Sequence, residues 1–285
     1  MINEFKYCIL LLIFTSILGC NYLTLNDESL LKNYDLNGAD NKVIYLPNVL
    51  KEASGIAYLD ESHILTHNDE KGLVYKINIT SGKVIAEFSI GKKEIEKDFE
   101  GIALVDDSVY LVSSNGTLFK FSLFNGKDNI EYEKITTPLS SKNNVEGLCY
   151  YENTNSLLLA CKSNPGKNYI SYKAVYEFDL THMKFIDKPK FLISLAELKK
   201  KFDIKDFRPS GIEINPKNGN IFLISANPEA IVEIDSTGEL LNAQELNDKK
   251  HKQPEGITFL KDGTLILADE SNGKKAKITI IAYND

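Results

Sequence analysis

The chain has 285 residues, 26% of them charged, and a net charge of −7 with a single arginine, Arg208. That balance lacks the basic footprint of a nucleic-acid binder and suits cation binding or plain solubility. With 14 tyrosines, 14 phenylalanines and no tryptophan, the part left after an N-terminal targeting segment reads as one large all-β domain.

At the N-terminus, Lys6 precedes an apolar run from Tyr7 to Leu18, too short to span a bilayer but suited to a signal-peptide core. Ile17-Leu18-Gly19-Cys20 then has the form of a bacterial lipobox. These features predict a signal peptide over 1–19, lipidation at Cys20, and a domain held by acyl chains at the cell envelope, in the periplasm or at the outer membrane, facing away from the cytoplasm. An ordinary signal peptide or an uncleaved anchor is the alternative. Residues 20–41, polar and rich in Asn, Asp and Leu, read as a flexible tether, and 42–285 as the folded domain.

Five short phrases punctuate that domain: Ser54-Gly55-Ile56, Glu100-Gly101-Ile102, Glu146-Gly147-Leu148, Ser210-Gly211-Ile212 and Glu255-Gly256-Ile257. Their glycines lie 46, 46, 64 and 45 residues apart, the period of a β-propeller blade of four short strands. The first repeat continues through Ile64-Leu65-Thr66, Leu73 to Asn78, the turn Thr80-Ser81-Gly82-Lys83 and Val84 to Ile90. The fourth runs through Ile212 to Ile214, an Asn/Pro/Gly turn at 215–220, Ile221 to Ser225 and Ala230 to Asp235.

The 64-residue interval carries an insertion, Lys188 to Phe207, whose Leu192, Leu195, Leu198 and Phe202 predict a short amphipathic helix near 192–203. It would cap one face of the ring or act as a lid. The last repeat is one strand short, and Val43-Ile44-Tyr45-Leu46 supplies the missing strand. The prediction is therefore a monomeric five-bladed propeller of four-stranded antiparallel blades, closed by its N-terminal strand. Six blades would require a motif-free blade inside the long interval.

Aligning the repeats stacks two columns of polar residues. One is the residue before each motif glycine: Ser54, Glu100, Glu146, Ser210 and Glu255. The other lies at the end of the following strand and contains Asn68, Asp69 and Glu70, then Asn115, Lys162 and Asn227, and finally Asp269 and Glu270. In an antiparallel pair the start of one strand lies beside the end of its partner, so both columns should surround one channel mouth. Glu100, Glu146, Glu255, Asp69, Asp269 and Glu270 form the candidate metal set, and their all-oxygen chemistry points to calcium, or else magnesium. Lys162, Asn68, Asn115, Asn227 and Arg208 form the candidate set for a small anionic ligand. The competing reading is that each glutamate ties its blade to the next through backbone hydrogen bonds.

His67 alone among the four histidines falls near this mouth; His63, His182 and His251 fall in turns or loops. Cys149 and Cys161 flank one hairpin turn, either as a disulfide or as two buried thiols. No nucleophile elbow, phosphate loop, HExxH or CxxC motif is present, so no catalytic residue is assigned.

The phrases Ala53-Ser54-Gly55-Ile56-Ala57, Asp98-Phe99-Glu100-Gly101, Glu146-Gly147-Leu148 with Cys161-Lys162-Ser163-Asn164-Pro165, Pro209-Ser210-Gly211-Ile212 and Gln253-Pro254-Glu255-Gly256 together resemble the SdiA-regulated, or YjiK-like, family of bacterial exported β-propellers. The resemblance implies a propeller outside the cytoplasm and a link to calcium, with no fixed reaction. The expected function is a non-catalytic binding or stress-response role. A metal-dependent phosphoesterase and a protein-interaction scaffold are the alternatives, and no protein partner is implied.

Overall fold

The computed structural model describes residues 29–92 and 95–285, leaving aside the side chain of Phe124. The predicted signal peptide, Cys20 and the first part of the tether lie outside the described residues. Strand β1 (Lys42–Tyr45) is set apart in sequence from the five repeats. Blade 1 holds β2 (Ala53–Asp60), β3 (His63–Asn68), β4 (Leu73–Asn78) and β5 (Val84–Ser89). Blade 2 follows with β6 (Phe99–Val105), β7 (Ser108–Ser113), β8 (Leu118–Ser122) and β9 (Tyr132–Ile135). Blade 3 comprises β10 (Val145–Tyr151), β11 (Ser156–Cys161), β12 (Tyr172–Asp179) and β13 (Lys184–Ser194). Blade 4 has β14 (Pro209–Ile214), β15 (Ile221–Ala226), β16 (Glu229–Ile234) and β17 (Leu240–Glu245). Strands β18 (Pro254–Phe259), β19 (Leu265–Asp269) and β20 (Lys277–Ile281) make blade 5, and β1 completes it by pairing antiparallel with β20.

The fold is thus an all-β, five-bladed propeller. Its innermost strands β2, β6, β10, β14 and β18 pack in a ring, with β18 returning to β2. Blades stack face to face, so the second strand of a blade is covered on both sides. Strands β11 and β15 are buried at every position, which is why they read as unbroken apolar runs. An outer strand such as β5 instead alternates toward solvent. Five apolar clusters fill the gaps between neighbouring blades, and the cluster joining blade 5 to blade 1 includes Ile44 and Leu46 of the closing strand.

The folded unit begins earlier than the sequence predicts. Leu31, Tyr34 and Leu36 are buried between blades 4 and 5, so residues 29–41 belong to the propeller and are no free tether. Buried Glu233 anchors them: its carboxylate accepts from the Ser29 hydroxyl, the backbone N–H groups of Leu30 and Leu31, and the Asn220 amide. Leucines in a polar stretch carried the signal for this packing, but without periodicity they read as linker.

Within the insertion, Leu192 extends strand β13, and only Leu195–Phe202 forms the helix, α1. The Ser194 side chain caps it by accepting from the backbone N–H of Glu197. Helix α1 lies on β13 and β17, the outer strands of blades 3 and 4, with Leu198 fully buried. It braces the rim, and its packing there replaces the expected cap or lid over a face of the ring. Cys149 stands opposite Leu158 and Cys161 opposite Val145 in the β10–β11 register, so the thiols face different clusters and are free and buried. No helix among the described residues is long and apolar enough to cross a membrane.

Candidate binding site at the channel mouth

Four motif glycines are required by close approach, and Gly55 by its positive φ of 90°. A Cβ on Gly101 would lie 2.9 Å from both Cβ and N of Leu148, and one on Gly147 would lie 2.9 Å from Cγ2 of Ile212. Gly211 meets Ile257 at 3.2 Å and Gly256 meets Ile56 at 3.0 Å, so four of the five inner strands abut the apolar residue of the next motif, while Gly55 faces His67 Nε2 at 3.0 Å and Gly101 Cα at 3.4 Å. The channel is therefore nearly shut: the cavity on its axis, lined by these glycines and their Ile or Leu neighbours, is about 10 Å³.

The residue before each glycine sits at a β-bulge. Pairing of the inner strand with its neighbour shifts register between Phe99 and Gly101, Val145 and Gly147, Pro209 and Gly211, and Pro254 and Gly256, with a longer gap between Ala53 and Ile56. A bulge frees one residue from the ladder and re-aims its side chain. Glu100, Glu146 and Glu255 are the residues freed in this way.

Lys162, at the end of the second strand of blade 3, sits with its ammonium 2.7 Å from Glu146. It interacts also with Glu255 and Glu100, so one ammonium serves three carboxylates. Burial alone would lower the lysine's pKa, but the surrounding carboxylates prevail and raise it. Burial, reinforced by Glu146, Asp98 and Glu255, pushes Glu100 up to about 9 against the opposing pull of Lys162. Glu255 is pushed up to about 8, by burial first and then by Glu146, with Lys162 again opposing. Glu146 is raised as well, by burial, although Lys162 and the Asn144 amide hold it down. Two of the three carboxylates therefore carry protons at neutral pH.

A second acidic group lies beside the first. Asp69 is pushed up to about 6 by burial and by Glu52 and Glu70, and Glu270 is raised by burial, Asp69 and Glu52. Glu270 and Glu255 both accept from the Gln253 amide, which links the two groups. An open cleft of about 450 Å³ adjoins this rim, lined by Asp69, Glu70, Lys71, Glu96, Lys97 and Asp98.

The rest of the predicted set lies elsewhere. Asp269 turns away from the mouth and accepts from the ring of buried His251, Nδ1 to Oδ2 2.9 Å. Asn68 and Asn115 brace turns, accepting from the backbone N–H groups of Glu70 and Thr117 respectively. Arg208 pairs with Asp206 at 2.8 Å on an exposed edge. Asn227 precedes a cis proline, Pro228, between β15 and β16. His67 is fully buried and neutral, its pKa pushed down to about 4 by desolvation. Blade-tying through this column holds for a serine: Ser210 donates to the Pro254 carbonyl of the next blade at 2.6 Å.

A third column, two positions before each bulge residue, holds Glu52, Asp98, Asn144, Arg208 and Gln253, and all but Arg208 add to the site. Asn144 donates to Glu146 at 2.6 Å and Gln253 to Glu255 at 3.3 Å, while Asp98 and Glu52 add charge to the two acidic groups. Every member of that column is polar, and that regularity is the signal by which the sequence announces it.

The SdiA-regulated family profile matches residues 27–273, nearly all of the chain. The chain belongs to the SdiA-regulated family. Among solved structures it is similar to the glutaminyl cyclase of Myxococcus xanthus, at 14% identity and a TM-score of 0.55, covering 85% of this chain and 94% of that one. It is also similar to a streptogramin B lyase, at 12% identity and a TM-score of 0.51, covering 86% and 97%. Against a chain of hydrazine synthase from Kuenenia stuttgartiensis the identity is 14% and the TM-score 0.47, covering 76% of this chain and 55% of that one. At such identities the likeness is one of fold alone.

The mouth offers a hard cation the right kind of donor, oxygen without sulfur. It does not offer a finished cage: among the described residues, no three His, Cys, Asp or Glu side chains form a group able to hold an ion. The ammonium of Lys162 stands on Glu146 instead.

Proposed function

We propose that this protein is a membrane-tethered binding propeller of the cell envelope, anchored through Cys20, that takes up a divalent cation at the acidic mouth of its closed channel. The role is binding rather than catalysis. The observation that supports it is the imbalance of three buried carboxylates around one ammonium, which leaves Glu100 and Glu255 protonated near neutral pH. A cation at this mouth would draw its oxygens from Glu100, Glu146 and Glu255, displacing the protons of Glu100 and Glu255. Calcium is the first candidate and magnesium the second, because the donors are carboxylates and calcium accepts irregular geometry more readily.

The test is a calorimetric titration of the full chain in detergent with calcium chloride, run in two buffers of different ionisation heat at pH 7.5. Saturable binding with proton release is expected, and the double variant Glu100→Gln, Glu255→Gln should bind more weakly and release fewer protons. Absence of saturable heat from the unaltered chain would overturn the reading.

A further inference from the structure

Asp269 leaves the channel mouth for a different site. A cavity of about 160 Å³ lies between the N-terminal segment, the loop before β18 and strand β20. His251 and Thr279 line it, only 0% and 3% exposed, and His251 Nε2 and Thr279 Oγ1 are both buried without a hydrogen-bond partner. Two such atoms on residues that line one cavity are unusual in a native interior and call for a partner.

The imidazole is held in place from behind. Its Nδ1 meets the Asp269 carboxylate, and an ionised carboxylate can only accept, so Nδ1 carries the ring proton and Nε2 is left for a guest. Lys277 stands 3.6 Å from the same carboxylate and donates to the Lys250 carbonyl. The Lys250 ammonium donates to the carbonyls of Asn37 and Gly38, which are neutral. The lining thus includes two lysines, one of them paired with Asp269 behind the imidazole, and no carboxylate of its own, in a chain whose net charge is −7. Leu36 and Val43 supply an apolar wall.

We propose that this cavity binds a small monocarboxylate with a short apolar tail. Binding takes up one proton from solvent, held between one carboxylate oxygen and His251 Nε2; the other oxygen accepts from the Thr279 hydroxyl, the tail rests on Leu36 and Val43, and the two lysines supply the attracting field. At the ~30 Å³ that a small molecule such as water takes in the liquid, the space holds about five non-hydrogen atoms, the size range of acetate to butyrate. The site has the opposite charge preference to the channel mouth and does not depend on the cation reading.

The chain has four histidines, so proton and carbon resonances of the full chain in detergent, labelled only at histidine, resolve the site directly. Titration with butyrate should shift one histidine signal saturably, and that signal should be missing in His251→Gln. Thr279→Val should weaken the response about tenfold, the worth of one hydrogen bond to a charged group, whereas Thr279→Ser should keep it. The signals of His63, His67 and His182 report whether each variant is folded. The proposal is overturned if no histidine signal saturates, as for a cavity holding only water. It is equally overturned if folded Thr279→Val binds as tightly as the unaltered chain, or if inorganic phosphate shifts the signal as strongly as butyrate.

Discussion

The two ends of the channel are built from the same five phrases and differ in almost every physical respect. At the mouth, the residue before each glycine gathers Glu100, Glu146 and Glu255 around Lys162, above an axial cavity of about 10 Å³. At the opposite end, the residue two places after each glycine is Ala57, Ala103, Cys149, Glu213 or Thr258, and a funnel of about 680 Å³ opens there between Tyr58, Tyr150 and Phe259. At the mouth three buried carboxylates crowd one lysine over a closed axis, whereas the funnel is wide and mixes Asp106, Glu152, Glu213 and Lys261 with aromatic and aliphatic side chains. Side chains project to opposite ends because they stand on opposite sides of the bulge and the glycine, and the ring of Gly–Ile contacts separates the two environments. The axis below the mouth admits nothing larger than a small ion or water, whereas the funnel has the dimensions of an organic-ligand pocket, with those four charged groups in its wall.

The largest disturbance is expected from breaching the partition itself. Gly147→Val places side-chain atoms against Ile212 Cγ2 and Ala160 Cβ, which a Cβ alone would meet at 2.9 and 3.0 Å. A loss of about 3 kcal/mol, the upper range for overpacking, should appear in the urea midpoint at unchanged slope. Next in size is Lys162→Met, which strands Glu146 at 4% exposure. Because the lysine side chain is 27% exposed, the loss is set below that of a fully buried pair, at roughly 1–3 kcal/mol, and it should shrink in acid as Glu146 takes up a proton.

Glu100→Gln should do the reverse. A carboxyl whose folded pKa lies near 9, above the ordinary 4.5, contributes stability that is complete below about pH 4.5 and is lost as the pH rises toward 9. The amide removes that loss, so the melting temperature at pH 8.5 should rise, by about 2–4 °C for each kcal/mol recovered, with no change at pH 4. Glu213→Gln is the matching change at the funnel. Burial pushes Glu213 up only to about 7, against hydrogen bonds from the Ile214 N–H and the Thr258 hydroxyl, so its window closes near pH 7 and the gain should be smaller. Equal gains from the two variants would erase the contrast between the ends.

Much of the architecture is legible in the sequence. The glycine spacing carried the blade count, and the short last repeat together with Val43 to Leu46 carried the ring closure, because both follow from local periodicity and edge pairing. Glu100, Glu146, Glu255 and Lys162 were also legible as neighbours, since alignment of repeats is alignment in space. The bulge was not, because a register shift is a property of the pair of strands and not of either strand's residues. For the same reason Asp269, aligned with the mouth residues, was misplaced: it pairs with Pro254 at the ladder end and points to the other face, toward a histidine that sequence position alone assigned to a loop. The packing of Leu31 and Tyr34 depended on Glu233, some two hundred residues away, and no local pattern encodes that contact.

The central claim is that one ammonium cannot keep three buried carboxylates ionised, so the mouth holds exchangeable protons at neutral pH. Carbon-13 resonances of glutamate carboxyl groups, assigned with Glu100→Gln and Glu255→Gln and followed from pH 3 to pH 10, measure it directly. The account predicts midpoints near 9 for Glu100 and near 8 for Glu255, both moving down when calcium is added. Midpoints for both residues at the ordinary 4.5 would contradict it.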